Sequence, residues 1–194
     1  MKSMYSNNLL ELLQADVKAI ILQAEQLRQQ STEKLTQEPA VGIWSVAQVL
    51  EHLNFYNSFY IAAIEAKLHL HQSSPSVMFK PGWLGNYFVH IMKPAANNVI
   101  AKKMKSPKNV IPASKPDATN QLSKFITHQY HLLNLLQVSK TANLNALRIP
   151  TSLSRLITLK LGDTFRFFIA HEQRHFVQIK NTLSVMNALL QDRA

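Results

Sequence analysis

Three histidines, His52, His171 and His175, are the residues of this chain best placed to do chemistry. His171 and His175 are four residues apart, a spacing that puts both imidazoles on one face of a helix. His52 shares a helical stripe with Val49, Tyr56 and Phe59, so it too faces other helices. A nitrogen from this second helix completes a facial ligand set, and the pattern points to a metal. With no cysteine among 194 residues, disulfides, thiolate nucleophiles and sulfur-ligated metals are excluded, which leaves nitrogen and oxygen donors. One buried histidine is ordinarily a core imidazole satisfied by a hydrogen bond. Three facing inward together would bury several polar nitrogens, each needing a partner, and a bound metal meets that need at once.

The segment His171-Glu172-Gln173-Arg174-His175 also satisfies the H-E-x-x-H pattern of zinc peptidases, in which the glutamate is a general base. Those enzymes take a third ligand from downstream, where a metzincin would use the positions of Gln178 and Asn181, and no glutamate follows Glu172. The third ligand must come from upstream, from His52. Glu172 is a candidate proton acceptor, although its place next to His171 turns it about 100 degrees around the helix, toward solvent. Tyr56 and Tyr60, four and eight residues after His52, are candidates to hydrogen-bond the ligating imidazoles, with plain core packing as the alternative. His128 and His131 read as a surface pair rather than as supplementary ligands. His69, His71 and His90 have no partner set and read as solvated or capping.

The elements that position these residues are helical. Only 4 glycines occur, and apolar residues recur at intervals of three and four. Leu9, Leu10, Leu13, Val17, Ile20, Ile21, Ala24 and Leu27 predict a first helix over 5–33. Ser45, with Gln48 as its third-position partner, predicts the start of a second helix that runs to about residue 71, with Trp44 stapled onto Val49. Asp117 caps a third helix carrying Leu122, Phe125, Ile126, Leu132, Leu133 and Leu136 and ending near Lys140. Asp163 caps a fourth, with Phe165, Phe168, Ile169, Phe176, Ile179, Leu183, Met186 and Leu190. Residues 72–116 hold six of the eight prolines, yet Trp83, Leu84, Tyr87, Phe88 and Met92 are too apolar for an ordinary solvated loop. A long crossover with a short helix or two, partly packed on the bundle, is expected there. Residues 1–194 form one all-α domain, a four-helix bundle with one long crossover.

The N-terminus leads into an amphipathic pattern rather than an unbroken apolar run, which argues against a signal peptide and a membrane span, so a cytoplasmic protein is expected. The net charge of +10 is uneven: residues 66–116 contain eight lysines (67, 80, 93, 102, 103, 105, 108 and 115) and no Asp, Glu or Arg. A solvated basic excursion is the plainer reading, and nucleic acid is not an expected partner. The alternative function is a non-catalytic bundle whose basic crossover binds an anionic partner, with affinity that falls steeply as salt rises.

Trp44-Ser45-x-x-x-Val49-Leu50-x-His52-Leu53 and His171-x-x-x-His175-x-x-Gln178-Ile179 resemble the paired signatures of the DinB-like (DinB/YfiT) superfamily. The resemblance extends over essentially the full length, and Leu161-Gly162-Asp163-Thr164-Phe165-Arg166-Phe167 is similar to the lead-in of related bacterial members. It implies an up-up-down-down four-helix bundle, often a homodimer, with a divalent metal such as nickel or zinc held by three histidines. Carried over position by position, the ligands are His52, His171 and His175. Relatives include thiol-dependent S-transferases and isomerases, so the resemblance implies a metal-dependent transferase or hydrolase acting on a small molecule, with a low-molecular-weight thiol as a co-substrate of the transferase type. The chain shows no thiol-binding motif, and the reaction stays open between the two.

Overall fold

The leucine and isoleucine stripe near the N-terminus drives helix α1 (Ser6–Leu27), and all eight of its residues named above are buried. The computed structural model describes residues 2–94, 106–107 and 110–191, the side chains of residues 155 and 189–191 excepted. Leu190 of the expected fourth stripe and Lys102, Lys103, Lys105 and Lys108 of the crossover therefore lie outside the described side chains. Helix α1 stops at Leu27, short of residue 33, because Ser31 starts a new turn. Its side chain accepts from the Lys34 backbone N–H at 3.3 Å and opens α2 (Thr32–Thr36), which buries Leu35. The chain then turns at Gly42, whose φ of 76° suits glycine.

Helix α3 (Val46–His69) starts from the expected reciprocal cap: Gln48 N donates to Ser45 Oγ at 3.2 Å, and Ser45 N donates to Gln48 Oε1 at 2.8 Å. The crossover contributes α4 (Trp83–Met92) and a two-residue strand, β2 (Met78–Phe79), which pairs antiparallel with β1 (Met4–Tyr5) ahead of α1. In α4, Leu84, Phe88, Val89 and Met92 pack on the core while Trp83 and Tyr87 are exposed. The described lysines of the basic stretch, Lys67 at the end of α3 and Lys80, Lys93 and Lys115 of the crossover, are all exposed. Asp117 accepts from Asn120 N at 3.0 Å and caps α5 (Ala118–Val138), as its sequence indicates.

The lead into the last helix differs from expectation. Residues 148–160 form a hairpin, β3 (Arg148–Thr151) and β4 (Ser154–Lys160), with Ile149 opposite Leu159 and a register irregularity at Pro150/Thr151. Strand β4 passes straight into α6 (Leu161–Gln191), so Asp163 lies inside the first turn and is not its cap. Its carboxylate is fully buried, where it accepts from Gly82 N at 2.7 Å and from Arg166 Nη1 at 2.9 Å. Arg166 also donates to Asn86 Oδ1 at 3.2 Å, so the two side chains fasten α4 to α6. Burial pushes the Asp163 carboxyl above its usual range, with the Gly82 bond and Arg166 working against that rise. A Cβ on Gly85 would clash with Asp163 Cβ and Cγ. Gly85→Ala is expected to destabilise the fold by about 1–3 kcal/mol despite the better helix propensity of alanine, read as a fall in Tm.

Helices α1 and α3 sit diagonally, each packing on both α5 and α6. Side-chain contacts fix the directions. Asp16 of α1 reaches Gln173, and Lys34 of α2, beyond the end of α1, donates from Nζ to Asn187 Oδ1 at 2.7 Å, so α1 runs parallel to α6. Asn54 donates to Gln121 and Glu65 meets His131, so α3 runs parallel to α5. His52 lies against His175 and Tyr60 against Phe168, so α3 and α6 are antiparallel. The order is up-down-down-up, which corrects the up-up-down-down order implied by resemblance. The reason is the connections: one crossover spans the bundle and the others reverse direction, whereas up-up-down-down requires two crossovers. The four-helix bundle itself stands as expected. Among the described residues, no helix is long and apolar enough to cross a membrane.

Candidate metal centre

The antiparallel packing of α3 against α6 brings His52, His171 and His175 together, with one ligating nitrogen from each lying within 4.8 Å of the others. Leu50 and Leu53 on α3 and Phe168 and Phe176 on α6 are buried around them and set the faces of the two helices. His52 and His171 are buried; His175, one turn further on, keeps a partly exposed edge. His171 Nε2 and His175 Nε2 are 3.1 Å apart. Two nitrogens bound tetrahedrally to one ion at about 2.0–2.1 Å lie about 3.3–3.4 Å from each other, so this pair needs little movement to share a metal.

Two of the rings have their outer nitrogen occupied. His52 Nδ1 lies 2.9 Å from Val110 O, and a carbonyl only accepts, so Nδ1 carries the proton and Nε2 presents its lone pair. His175 Nδ1 donates in the same way to Gln178 Oε1 at 2.9 Å. This is the arrangement that orients metal-ligating imidazoles. Burial lowers the pKa of His52, against a smaller opposing effect of the Val110 bond. Burial also drives His171 well below its ordinary value, helped by His175, His52 and Arg174, and takes His175 down to about 3, with His52 and Arg174 adding to the drop. All three rings are therefore neutral at physiological pH, the form that ligates a metal.

Aromatic rings wall the cluster. Trp44 lies 5.1 Å from His52 between centroids, Tyr56 stands edge-on to His52 at 5.0 Å and to His171 at 4.7 Å, and Phe167 stacks on His171 at 6.4 Å. Tyr56 is half-buried, and burial pushes its hydroxyl up to about 12, with Tyr60 adding to the rise. Tyr60 turns elsewhere: its hydroxyl lies 3.2 Å from Ser152 Oγ and accepts from Ser152 N, tying α3 to the hairpin. Glu172 does not face solvent. It is fully buried on the other side of α6, where Oε1 accepts from Gln129 Nε2 at 2.5 Å and, with the Asn57 amide turned to the orientation that satisfies both of its ends, from the Asn57 nitrogen at 3.0 Å. Burial raises its pKa to about 8. His128 is partly buried, with Nδ1 3.1 Å from Asn54 Oδ1, and His131 pairs with Glu65 at 3.2 Å. Neither joins the cluster, and among the described residues no other group of three donors converges.

The Val110 carbonyl had no signal in the sequence, since any residue offers one and this one arrives from the crossover. The segment carrying it is tied to α3 by Ala113 N donating to Glu51 Oε2 at 2.6 Å and by Gln48 Nε2 donating to Ala113 O at 3.2 Å. Gln178 was detectable, because it follows His175 by three residues and so shares its face.

Among solved structures, YfiT from Bacillus subtilis, described as a probable metal-dependent hydrolase with an unusual four-helix bundle topology, has the same fold. It matches with a TM-score of 0.51 at 16% identity, over 94% of this chain and 87% of that chain. No curated protein matches significantly in sequence. The sequence profile of the DinB superfamily matches residues 17–179, a span that contains all three histidines, and the chain belongs to the DinB superfamily.

Proposed function

We propose that the protein is a divalent-metal-dependent enzyme in which His52, His171 and His175 hold the ion through their Nε2 atoms. The supporting observation is the convergence of three neutral imidazoles, two of them with Nδ1–H already committed to an oxygen. A catalytic site keeps a position open, and three protein ligands on a four-coordinate ion leave one. When bound, the metal lowers the pKa of a coordinated water or thiol and polarises an electrophilic substrate. Zinc and nickel both suit an all-imidazole donor set. The hydrolase reading draws on YfiT, and an S-transferase differs only in offering a small thiol in place of water.

The residues around the site divide the remaining work. Trp44, Tyr56 and Phe167 give the pocket an apolar wall that excludes water from the reacting centre. The Tyr56 hydroxyl, protonated at neutral pH, is suited to donate a hydrogen bond and not to act as a base. Glu172 faces away and takes no proton from the nucleophile.

The test is a screen of the metal-loaded protein against esters, amides and thiol-transfer substrates, with chelated protein and His52→Ala as controls. Turnover that disappears in both controls is expected, and turnover that survives both would overturn the assignment. Gln178→Leu is expected to weaken metal binding by about 10–100-fold while leaving the metal-free Tm within a few degrees, as a competition titration and a thermal melt would show.

A further inference from the structure

Glu172 is a fully buried carboxyl group of the bundle interior that the proposed chemistry leaves unused. It meets Asn57 of α3 and Gln129 of α5, both fully buried. Asn57 is itself held to α3, its amide nitrogen also donating to Leu53 O at 3.1 Å, while its oxygen accepts from Gln129 Nε2 at 3.3 Å. Among the described residues, Glu172 Oε2 and Gln129 Oε1 have no hydrogen-bond partner. A polar cluster of this kind costs stability compared with apolar packing, so its contribution has to lie elsewhere.

Its position shows where. Glu172 is the immediate neighbour of His171, and Asn57 is the immediate neighbour of Tyr56, whose ring rests on His171. The apolar contacts of α6 around it, Phe165, Phe168, Phe176 and Ile179, carry no preferred direction. The bonds of Asp163 and Arg166 to the α4 region act at the start of the helix, more than two turns away from His175, and Asp16 meets Gln173 on the α1 side. The hydrogen bonds of Glu172 to two other helices are directional and act beside His171. A side chain tip about 6 Å from the helix axis moves about 2 Å for a 20° roll, a distance equal to a whole metal–nitrogen bond.

We propose that Glu172, together with Asn57 and Gln129, is a positioning residue for the candidate metal ligands: a three-helix polar clamp that fixes the roll of α6 and thereby aims His171 and His175 at His52. The inference rests on the metal-binding reading above for its affinity readout, and on the histidine rings themselves for a second readout that needs no metal.

The variants are Glu172→Leu, which removes the polar group at similar volume, and Glu172→Gln, which keeps an oxygen to accept from Gln129 and Asn57. Gln129→Met serves as a second disruption should Glu172→Leu fail to fold. Zinc affinity is measured by competition with a chromophoric chelator, Tm is measured without metal, and the imidazole nitrogen resonances of the metal-free proteins are recorded by NMR. Glu172→Leu leaves the buried Gln129 and Asn57 amides without their shared acceptor, so it is expected to lower Tm, to bind zinc about 10–100-fold more weakly while still folded, and to lose the single set of His171 and His175 resonances. Glu172→Gln is expected to restore both readouts. Wild-type affinity together with wild-type imidazole resonances in Glu172→Leu overturns the clamp. If the wild type binds no zinc, the metal reading fails, and unchanged imidazole resonances in the variants then overturn the clamp separately.

Discussion

Adding zinc or nickel to metal-free protein, at about a thousand times Kd, is expected to raise Tm by roughly 8–16 °C. A ligand that binds only the folded state at that excess contributes about 4.1 kcal/mol, and a chain of this length gains about 2–4 °C for each kcal/mol. The folded state is the one that binds, because the three nitrogens come from helices more than a hundred residues apart in sequence and meet within 4.8 Å only when α3 packs on α6. His171→Ala removes one of three ligands and is expected to weaken affinity by more than the about 100-fold that loss of a supporting hydrogen bond can cost. At the same metal concentration it retains no more than about 1.4 kcal/mol of stabilisation, a shift of roughly 3–6 °C. A thermal melt series with and without metal reads both numbers. An equal shift in wild type and variant would mean that the ion binds elsewhere.

Metal-free stability is expected to peak near pH 7 and to fall on both sides. On the alkaline side the controlling group is Glu172, whose folded pKa of about 8 stands above its ordinary 4.5. Between those values the folded state holds a proton that the unfolded chain has released, so stability is lost as pH rises, by about 1.4 kcal/mol per unit. On the acid side the controlling groups are His52, His171 and His175, all lowered from 6.5. Below pH 6.5 the unfolded chain takes up protons that the folded state refuses, so stability is lost as pH falls. Three such rings lose about 4 kcal/mol per unit at most, which outweighs the opposing 1.4 kcal/mol from Glu172. His128, lowered to about 4 by burial with Lys124 and His131 adding to the drop, acts in the same direction. Urea unfolding from pH 5 to 9 in the presence of a chelator measures the curve. Glu172→Gln is expected to flatten its alkaline limb and leave the acid limb in place. A wild-type curve that rises steadily toward pH 9 would contradict the assignment of Glu172.

The bundle was legible because its signals are periodic and local. The α1 stripe, the Ser45 and Gln48 cap and the Asp117 cap all act within a few residues, and each appears where the sequence places it. The candidate histidines were legible for the same reason, since i,i+4 spacing and an apolar stripe determine which side chains share a face. What was missed depends on distant partners. The hairpin at 148–160 is short and interrupted by Pro150, and its strands are specified by packing on the bundle end more than by propensity. Asp163 follows glycine and looks like a cap, yet Gly82, which donates to it, and Asn86, which holds its neighbour Arg166, lie in the crossover and cannot be seen from the local pattern. Glu172 was assigned to solvent by its angle from His171, but α5 occupies that side and supplies Gln129. Helix direction followed the connections and not the resemblance.

Elemental analysis of the protein, purified without a metal-binding tag and run beside the His52→Ala, His171→Ala double variant, tests the metal centre most directly. Close to one equivalent of zinc, nickel or another divalent ion is expected in the wild type, and none in a double variant that remains helical by circular dichroism. Wild-type protein that carries no metal and takes up none on reloading, or a folded double variant that keeps its full equivalent, would contradict it.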